Sequence, residues 1–252
     1  MKILYALQAT GNGHISRANE ILPYLKKLGE IDILLSGTQA NIDLNFHIKF
    51  RRIGLSFVFG KNGGVDYLVV QGTTGESATT TSDEKKQIVS TIQEANVKNL
   101  PIVYGLGGNN TESLLAQIKN TSFEGIDAIL SVCPYYNKPS ARGVIAHYEA
   151  IADACPVPVI MYNIPGRTGI NMSAETVLKL AEHKNIIGIK EASCIIEQCM
   201  EIVYHKPEDF LLISGDDVQA VPIISIGGVG VMSVIANAFP QQFTTMIHHA
   251  LA

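Results

Sequence analysis

The chain has 252 residues, of which 46% are hydrophobic and 17% charged, with a net charge of −4. That length holds one large domain or two small ones. The weakly acidic balance gives no basic footprint for nucleic acid, and no run reaches the roughly 20 apolar residues of a membrane span. The apolar stretch Ile3–Leu7 is too short for a secretory signal. Cys133, Cys155, Cys194 and Cys199 include no C-x-x-C pair, which points to reduced thiols in a cytosol. A chain so rich in core and poor in charge suits an α/β protein with a doubly covered sheet and a subunit interface.

Residues 1–62 follow one grammar. "KILYALQ" predicts a strand, "ATGNGHISR" a glycine-bearing loop, "ANEILPYLKKLG" a helix and "IDILL" a second strand, a Rossmann-like βαβ unit of nucleotide-binding type. "HIKFRRIGLSFVFGKNGG" then reads as short strands and turns.

Residues 63–252 follow another. Strand-like runs appear at "DYLVVQGTTGE", "PIVYGLGGNN", "AILSVCPYY", "PVIMYNIPGRTG", "IIGIKEAS", "FLLISGDD" and "GVGVMSVIAN". Most are separated by amphipathic segments with helix-start signals. Thr81 and Glu84 make a capping box before "KKQIVSTIQEA", Ser173 precedes "AETVLKLAEH", and Pro139 opens "SARGVIAHYEAIADA". Alternating strands and helices imply a parallel sheet, either closed as a barrel or open and doubly wound. Nearly every strand ends in polar or reactive residues: Thr73, Thr74 and Glu76; Asn109 and Asn110; Tyr135 and Tyr136; Tyr162, Asn163 and Arg167; Lys190 and Glu191; Asp216 and Asp217. An open sheet concentrates chemistry at one switch point, whereas a barrel gathers every carboxyl end at one mouth. The decorated ends favour the barrel.

Lys190 carries the sharpest signal. It continues the apolar run Ile186–Ile189 at a strand's carboxyl end, where an ammonium needs a partner or a chemical task. The plain reading pairs it with Glu191 or another acid, but alternation points Glu191 to the opposite face. The chemical reading is a Schiff-base lysine. An ordinary lysine, with a pKa of about 10.4, is almost fully protonated at neutral pH and cannot attack a carbonyl. Desolvation lowers that pKa and creates the nucleophile. "GTTGES" (72–77) adds two hydroxyls and two glycines whose backbone can approach an anion. "PYYNKP" (134–139) sets two tyrosines at another strand end, and "YNIPGRTG" (162–169) places Arg167 in a turn suited to bidentate capture of a carboxylate.

In order and spacing these motifs resemble the pyruvate-dependent class I aldolase superfamily, closest to its dihydrodipicolinate synthase (4-hydroxy-tetrahydrodipicolinate synthase) branch, from about Gly63 to the end of the sequence. The resemblance implies a (β/α)8 barrel in which Lys190 forms an imine with pyruvate, whose enamine attacks the aldehyde of aspartate semialdehyde. It implies a proton relay of Thr73, Tyr136 and Tyr162. Thr74 and its turn would hold the pyruvate carboxylate, Arg167 the carboxylate of the semialdehyde, and backbone around Gly215 and Met232 would line the pocket. No cofactor and no metal is implied, since the covalent chemistry runs on Lys190 itself. The resemblance further implies a cytoplasmic homo-oligomer, a dimer of dimers in which Tyr136 reaches the neighbouring subunit's site. Sister aldolases such as N-acetylneuraminate lyase share the lysine and the strand-end tyrosine, but Arg167 favours the synthase. Ser77, Asn109 and Tyr135 fit the allosteric pocket of lysine-regulated members. Ser82 and Lys85 stand where some of those carry histidines, so lysine sensitivity stays open.

The start resembles something else. "ATGNGHISR" (9–17) is similar to the first loop of MurG-like GT-B glycosyltransferases, with His14 facing donor or acceptor phosphates. The second Rossmann domain such an enzyme needs does not follow. The expectation is therefore a chimera joined near "KNGGVDY" (61–67), with an incomplete barrel of seven native strands lacking its first strand–helix unit and its C-terminal helices, and inactive as it stands. Two open edges at about five ladder bonds each, worth about 1 kcal/mol per bond, would rival a domain's whole stability.

Overall fold

The computed structural model describes residues 64–252 throughout, and before them three strands at 2–8, 30–36 and 50–52 with the isolated positions 23 and 27. The early strands, β1 (Lys2–Gln8), β2 (Glu30–Ser36) and β3 (Phe50–Arg52), form a parallel sheet in the order β1-β2-β3. β1 and β2 coincide with "KILYALQ" and "IDILL". The helix expected between them, the glycine-bearing loop and His14 lie outside the described residues. The Rossmann-like reading depends on those segments, and three short parallel strands do not by themselves support it.

From Gly64 onward the expected alternation holds. Seven strands, β4 (Leu68–Val70), β5 (Ile102–Gly105), β6 (Ala128–Val132), β7 (Val159–Asn163), β8 (Ile186–Glu191), β9 (Leu211–Ser214) and β10 (Gly230–Val231), pair in parallel and strictly in chain order. A doubly wound sheet would reverse its strand order at a switch point. This sheet never reverses, so it curls as a barrel wall does, and that decides between the two architectures left open by the sequence. Its edges do not pair, yet the Tyr67 hydroxyl donates to the Val231 carbonyl at 2.8 Å across them. A tyrosine side chain thus spans the gap. The edge strands run only three and two residues, so fewer ladder bonds are left open than the five per edge expected from sequence. Short edges are a common way of limiting that liability.

The helices follow local signals. α1 (Ser82–Ala95) starts at a complete Thr81–Glu84 capping box, α2 (Thr111–Lys119) is capped by Asn110, and α4 (Ala174–Ala181) by Ser173. α3 (Ala141–Ala154) is capped by Ser140, so Pro139 stands just before the cap rather than in the first turn. α5 (Ile196–His205), α6 (Ala220–Ser225) and α7 (Pro240–Leu251) follow, and one further helical turn spans Pro165–Thr168.

Strand residues alternate between two cores, which is why the runs are apolar on both faces. Ile129, Met161, Ile189 and Leu212 face the helices, packing with Leu114, Tyr148, Ile151 and Leu180. Leu130, Ile160, Tyr162, Ile213 and Met232 form a second, inner cluster. Lys190 follows Ile189 and so turns inward beside Tyr162; Glu191 returns to the outer face.

Candidate active site

Tyr162 and Lys190 are Cα partners on β7 and β8. The Lys190 Nζ sits over the Tyr162 ring, 4.3 Å from its centroid. This is a cation–π distance for the charged amine and a packed contact for the neutral one. Desolvation by the surrounding apolar strands, aided by the Arg167 charge, draws the Lys190 pKa down to about 8 against the opposing pull of Asp217. Roughly one amine in ten is then neutral at pH 7, against about one in 3,000 for an unperturbed lysine. Burial pushes the Tyr162 phenol up, while the Arg167 charge and a hydrogen bond with the Thr73 side chain act the other way. A desolvated amine and a buried phenol therefore share one wall.

The other strand ends complete it. After β4, Thr73–Gly75 form a single 3-10 turn, closed by Gly75 and Glu76 amides donating to Gly72 and Thr73 carbonyls at 3.0 Å each. Those two amides serve the turn itself, so the expected approach of backbone donors to an anion does not extend to them. After β7, the helical turn Pro165–Thr168 carries Arg167 and ends at Gly169, whose φ of 77° suits glycine. Gly215 follows β9, where a Cβ would lie 3.1 Å from the Lys190 Cε. A side chain there would press on the lysine stem. Met232 follows β10, with its amide donating to the Ser214 carbonyl at 2.9 Å.

Lys190, Tyr162, Thr73, Thr74, Arg167, Gly215 and Met232 all line one cavity of about 690 Å³. That is within the size range of small-molecule sites. Tyr136 is not brought in: it is 87% exposed, holds a φ of 71°, and its amide donates to the Thr168 carbonyl at 3.4 Å. A neighbouring cavity of about 510 Å³ shares Thr73, Tyr162 and Arg167 and is lined also by Ser77, Lys85, Asn109 and Tyr135, but not by Ser82.

Two contributors escaped the sequence reading. Asp217 was marked only as a strand-end acid; its Oδ2 accepts from the Val234 and Ile235 amides at 3.1 and 3.0 Å and its charge bears on Lys190. Tyr67, before β4, lines the cavity and bridges to β10. Neither has a local motif, because each acts through strands far away in sequence.

The chain matches the model of the dihydrodipicolinate synthetase family over residues 55–252. It is 53% identical over 193 residues to the 4-hydroxy-tetrahydrodipicolinate synthase of Cytophaga hutchinsonii, covering 77% of this chain and 65% of that one. This chain thus spans just under two thirds of that relative's length. Among solved structures it is similar to the lysine-bound enzyme of Cyanidioschyzon merolae, with 44% identity and a TM-score of 0.71 over 74% of this chain and 64% of that one. It is also similar to the pyruvate complex of the chloride-inhibited dihydrodipicolinate synthase of Acinetobacter baumannii, at 37% identity and a TM-score of 0.73, covering 76% and 66% of the two chains. A model match across most of the sequence, relatives near half identity and a curled parallel sheet with a desolvated lysine at a strand's carboxyl end agree: the chain belongs to the dihydrodipicolinate synthetase family.

Proposed function

We propose that the chain carries a lyase activity of the 4-hydroxy-tetrahydrodipicolinate synthase type, condensing pyruvate with aspartate semialdehyde through a Schiff base on Lys190. The observation that carries this reading is the desolvated Lys190 amine packed 4.3 Å from the Tyr162 ring. The neutral amine attacks the pyruvate ketone, water leaves to give the imine, and loss of a methyl proton gives the enamine. The enamine carbon then bonds to the aldehyde carbon of the semialdehyde, whose oxygen takes a proton to become a hydroxyl, and attack of the product's own amine on the restored imine closes the ring and releases Lys190. Each step moves a proton, for which Tyr162 and Thr73 stand ready, with Tyr136 joining from a neighbouring subunit. Thr74 and its turn hold the pyruvate carboxylate, and Arg167 holds that of the semialdehyde. Gly215 and Met232 shape the wall. The chemistry calls on no cofactor.

The Acinetobacter neighbour's pyruvate complex supports the first substrate. Arg167, on the turn at the mouth, supports the second, because a polyol aldehyde of the sister lyases offers no matching carboxylate. The exposed Tyr136, outside the cavity, supports a catalytic unit completed by a second copy of the chain. The test is incubation with pyruvate and borohydride followed by peptide mass mapping. A reduced pyruvate adduct on Lys190 is expected. An adduct on another lysine, or none, overturns the mechanism.

A further inference from the structure

We infer that Asn163 and Glu191 are positioning residues: hydrogen-bonded on the outer face of the sheet, they lock the β7–β8 register that sets Tyr162 beside Lys190 on the inner face. The inference rests on the Lys190 reading above and deepens it.

The starting point is an irregularity. Val159 pairs with Ile186, but the next residue, Ile160, pairs with Gly188, so Ile187 is an extra residue in β8. Without that bulge Tyr162 would face Ile189, and Lys190 would lie opposite Asn163, with its side chain on the helix-facing side. Bulges change the register of all that follows, and a one-residue slip exchanges the faces. The ladder alone is thus a weak guarantee of where Lys190 ends up. Something downstream of the bulge has to hold it.

The next pair along is that device. Asn163 and Glu191 are Cα partners, one residue past Tyr162 and Lys190, and are 0% and 1% exposed. Asn163 Nδ2 donates to both Glu191 oxygens, at 3.1 and 3.0 Å, and to Asn171 Oδ1 at 2.7 Å. Asn171 Nδ2 donates to Gln198 Oε1 at 2.8 Å, and Gln198 Nε2 donates to Glu191 Oε2 at 3.0 Å. Four side chains close a ring joining the ends of β7 and β8 to α5 and the loop before α4. Backbone ties it down at two further points: the Ser193 amide donates to Glu191 Oε1 at 2.6 Å, and the Met172 amide to Asn163 Oδ1 at 3.1 Å. Among the described residues Glu191 receives only neutral amide donors, which points to a geometric task rather than charge pairing. A network whose central pair is buried and satisfied specifies one arrangement, because any slip would orphan several groups at once.

The test compares borohydride trapping of the pyruvate imine in the wild-type 252-residue chain and in Glu191→Gln, in rate at saturating pyruvate, half-saturating pyruvate and pH profile. A glutamine presents an NH2 group where an oxygen now accepts, so the ring opens. The expected result is at least a tenfold loss of maximal trapping rate, less than a threefold change in half-saturating pyruvate, and a pH midpoint displaced upward as Lys190 leaves its apolar seat. Asn163→Asp added to Glu191→Gln reverses the polarity of the pair and should recover at least a third of the lost rate. Gln198→Ala opens the ring at a half-buried link and serves if Glu191→Gln does not fold; there a three- to fivefold loss with the same upward displacement is expected. Folded variants that trap at the wild-type rate with the wild-type pH midpoint overturn the inference and leave the Lys190 reading intact. No adduct on Lys190 in the wild type overturns that reading instead.

Discussion

Gly215→Ala asks how tightly the Lys190 seat is built. The added methyl would lie 3.1 Å from the Lys190 Cε, 2.8 Å from the Ala192 Cβ and 3.1 Å from the Glu191 carbonyl oxygen. Carbon atoms prefer about 3.5–4.0 Å, so the lysine stem has to retreat by roughly 0.5 Å or more. The backbone at Gly215 is not among the left-handed glycines, so the perturbation is steric and local. Overpacking of this kind costs about 1–3 kcal/mol in stability. The effect on chemistry is larger, because a misplacement of about 1 Å at a reacting group can cost on the order of a hundredfold in rate. We expect a loss of about ten- to a hundredfold in the rate of pyruvate-imine trapping, with the melting temperature lowered by a few degrees. The assay is single-turnover borohydride trapping beside a thermal melt. A Gly215→Ala variant that traps pyruvate at the wild-type rate would refute the close-passage argument.

Arg167→Ala should slow pyruvate-imine trapping modestly, because a charge that lowers the Lys190 pKa is lost, and cost far more, about 2–4 kcal/mol, in the addition step with aspartate semialdehyde; equal damage to both steps would make Arg167 structural. Trapping in the wild type should rise with pH and level off above about 8, because the protonated amine does not attack and the Lys190 pKa lies there. A midpoint near that of free lysine would show that Lys190 is not desolvated. His147 is 4% exposed, its Nδ1 pairs with the Thr111 hydroxyl at 2.8 Å, and burial lowers its pKa to about 4. The unfolded chain therefore binds the extra proton first, so this contribution is complete above about pH 6.5 and is lost as pH falls towards 4, on the order of 2–3 kcal/mol. Denaturant midpoints at pH 7 and pH 5 should diverge in the wild type and much less in His147→Asn.

Sequence alone determined what depends on near neighbours. The seven apolar runs became β4–β10, the Thr81–Glu84 and Ser173 caps formed as read, and Lys190 showed itself because an ammonium at the end of an isoleucine-rich strand conflicts with its surroundings. Decorated strand ends announced a common mouth, and seven of the eight expected residues meet there. The tertiary structure decided what depends on pairing between distant strands. The extra residue at Ile187, which turns Lys190 towards Tyr162, is invisible in "NIIGIKEASC", because register is a property of two strands together. The same holds for the Asn163–Glu191 ring, for the bridge from Tyr67 to Val231, for Asp217, and for Gly215, which reads as an ordinary turn glycine until the lysine stem is seen against it. Tyr136 stands exposed and outside the cavity, a placement its neighbours along the chain do not reveal.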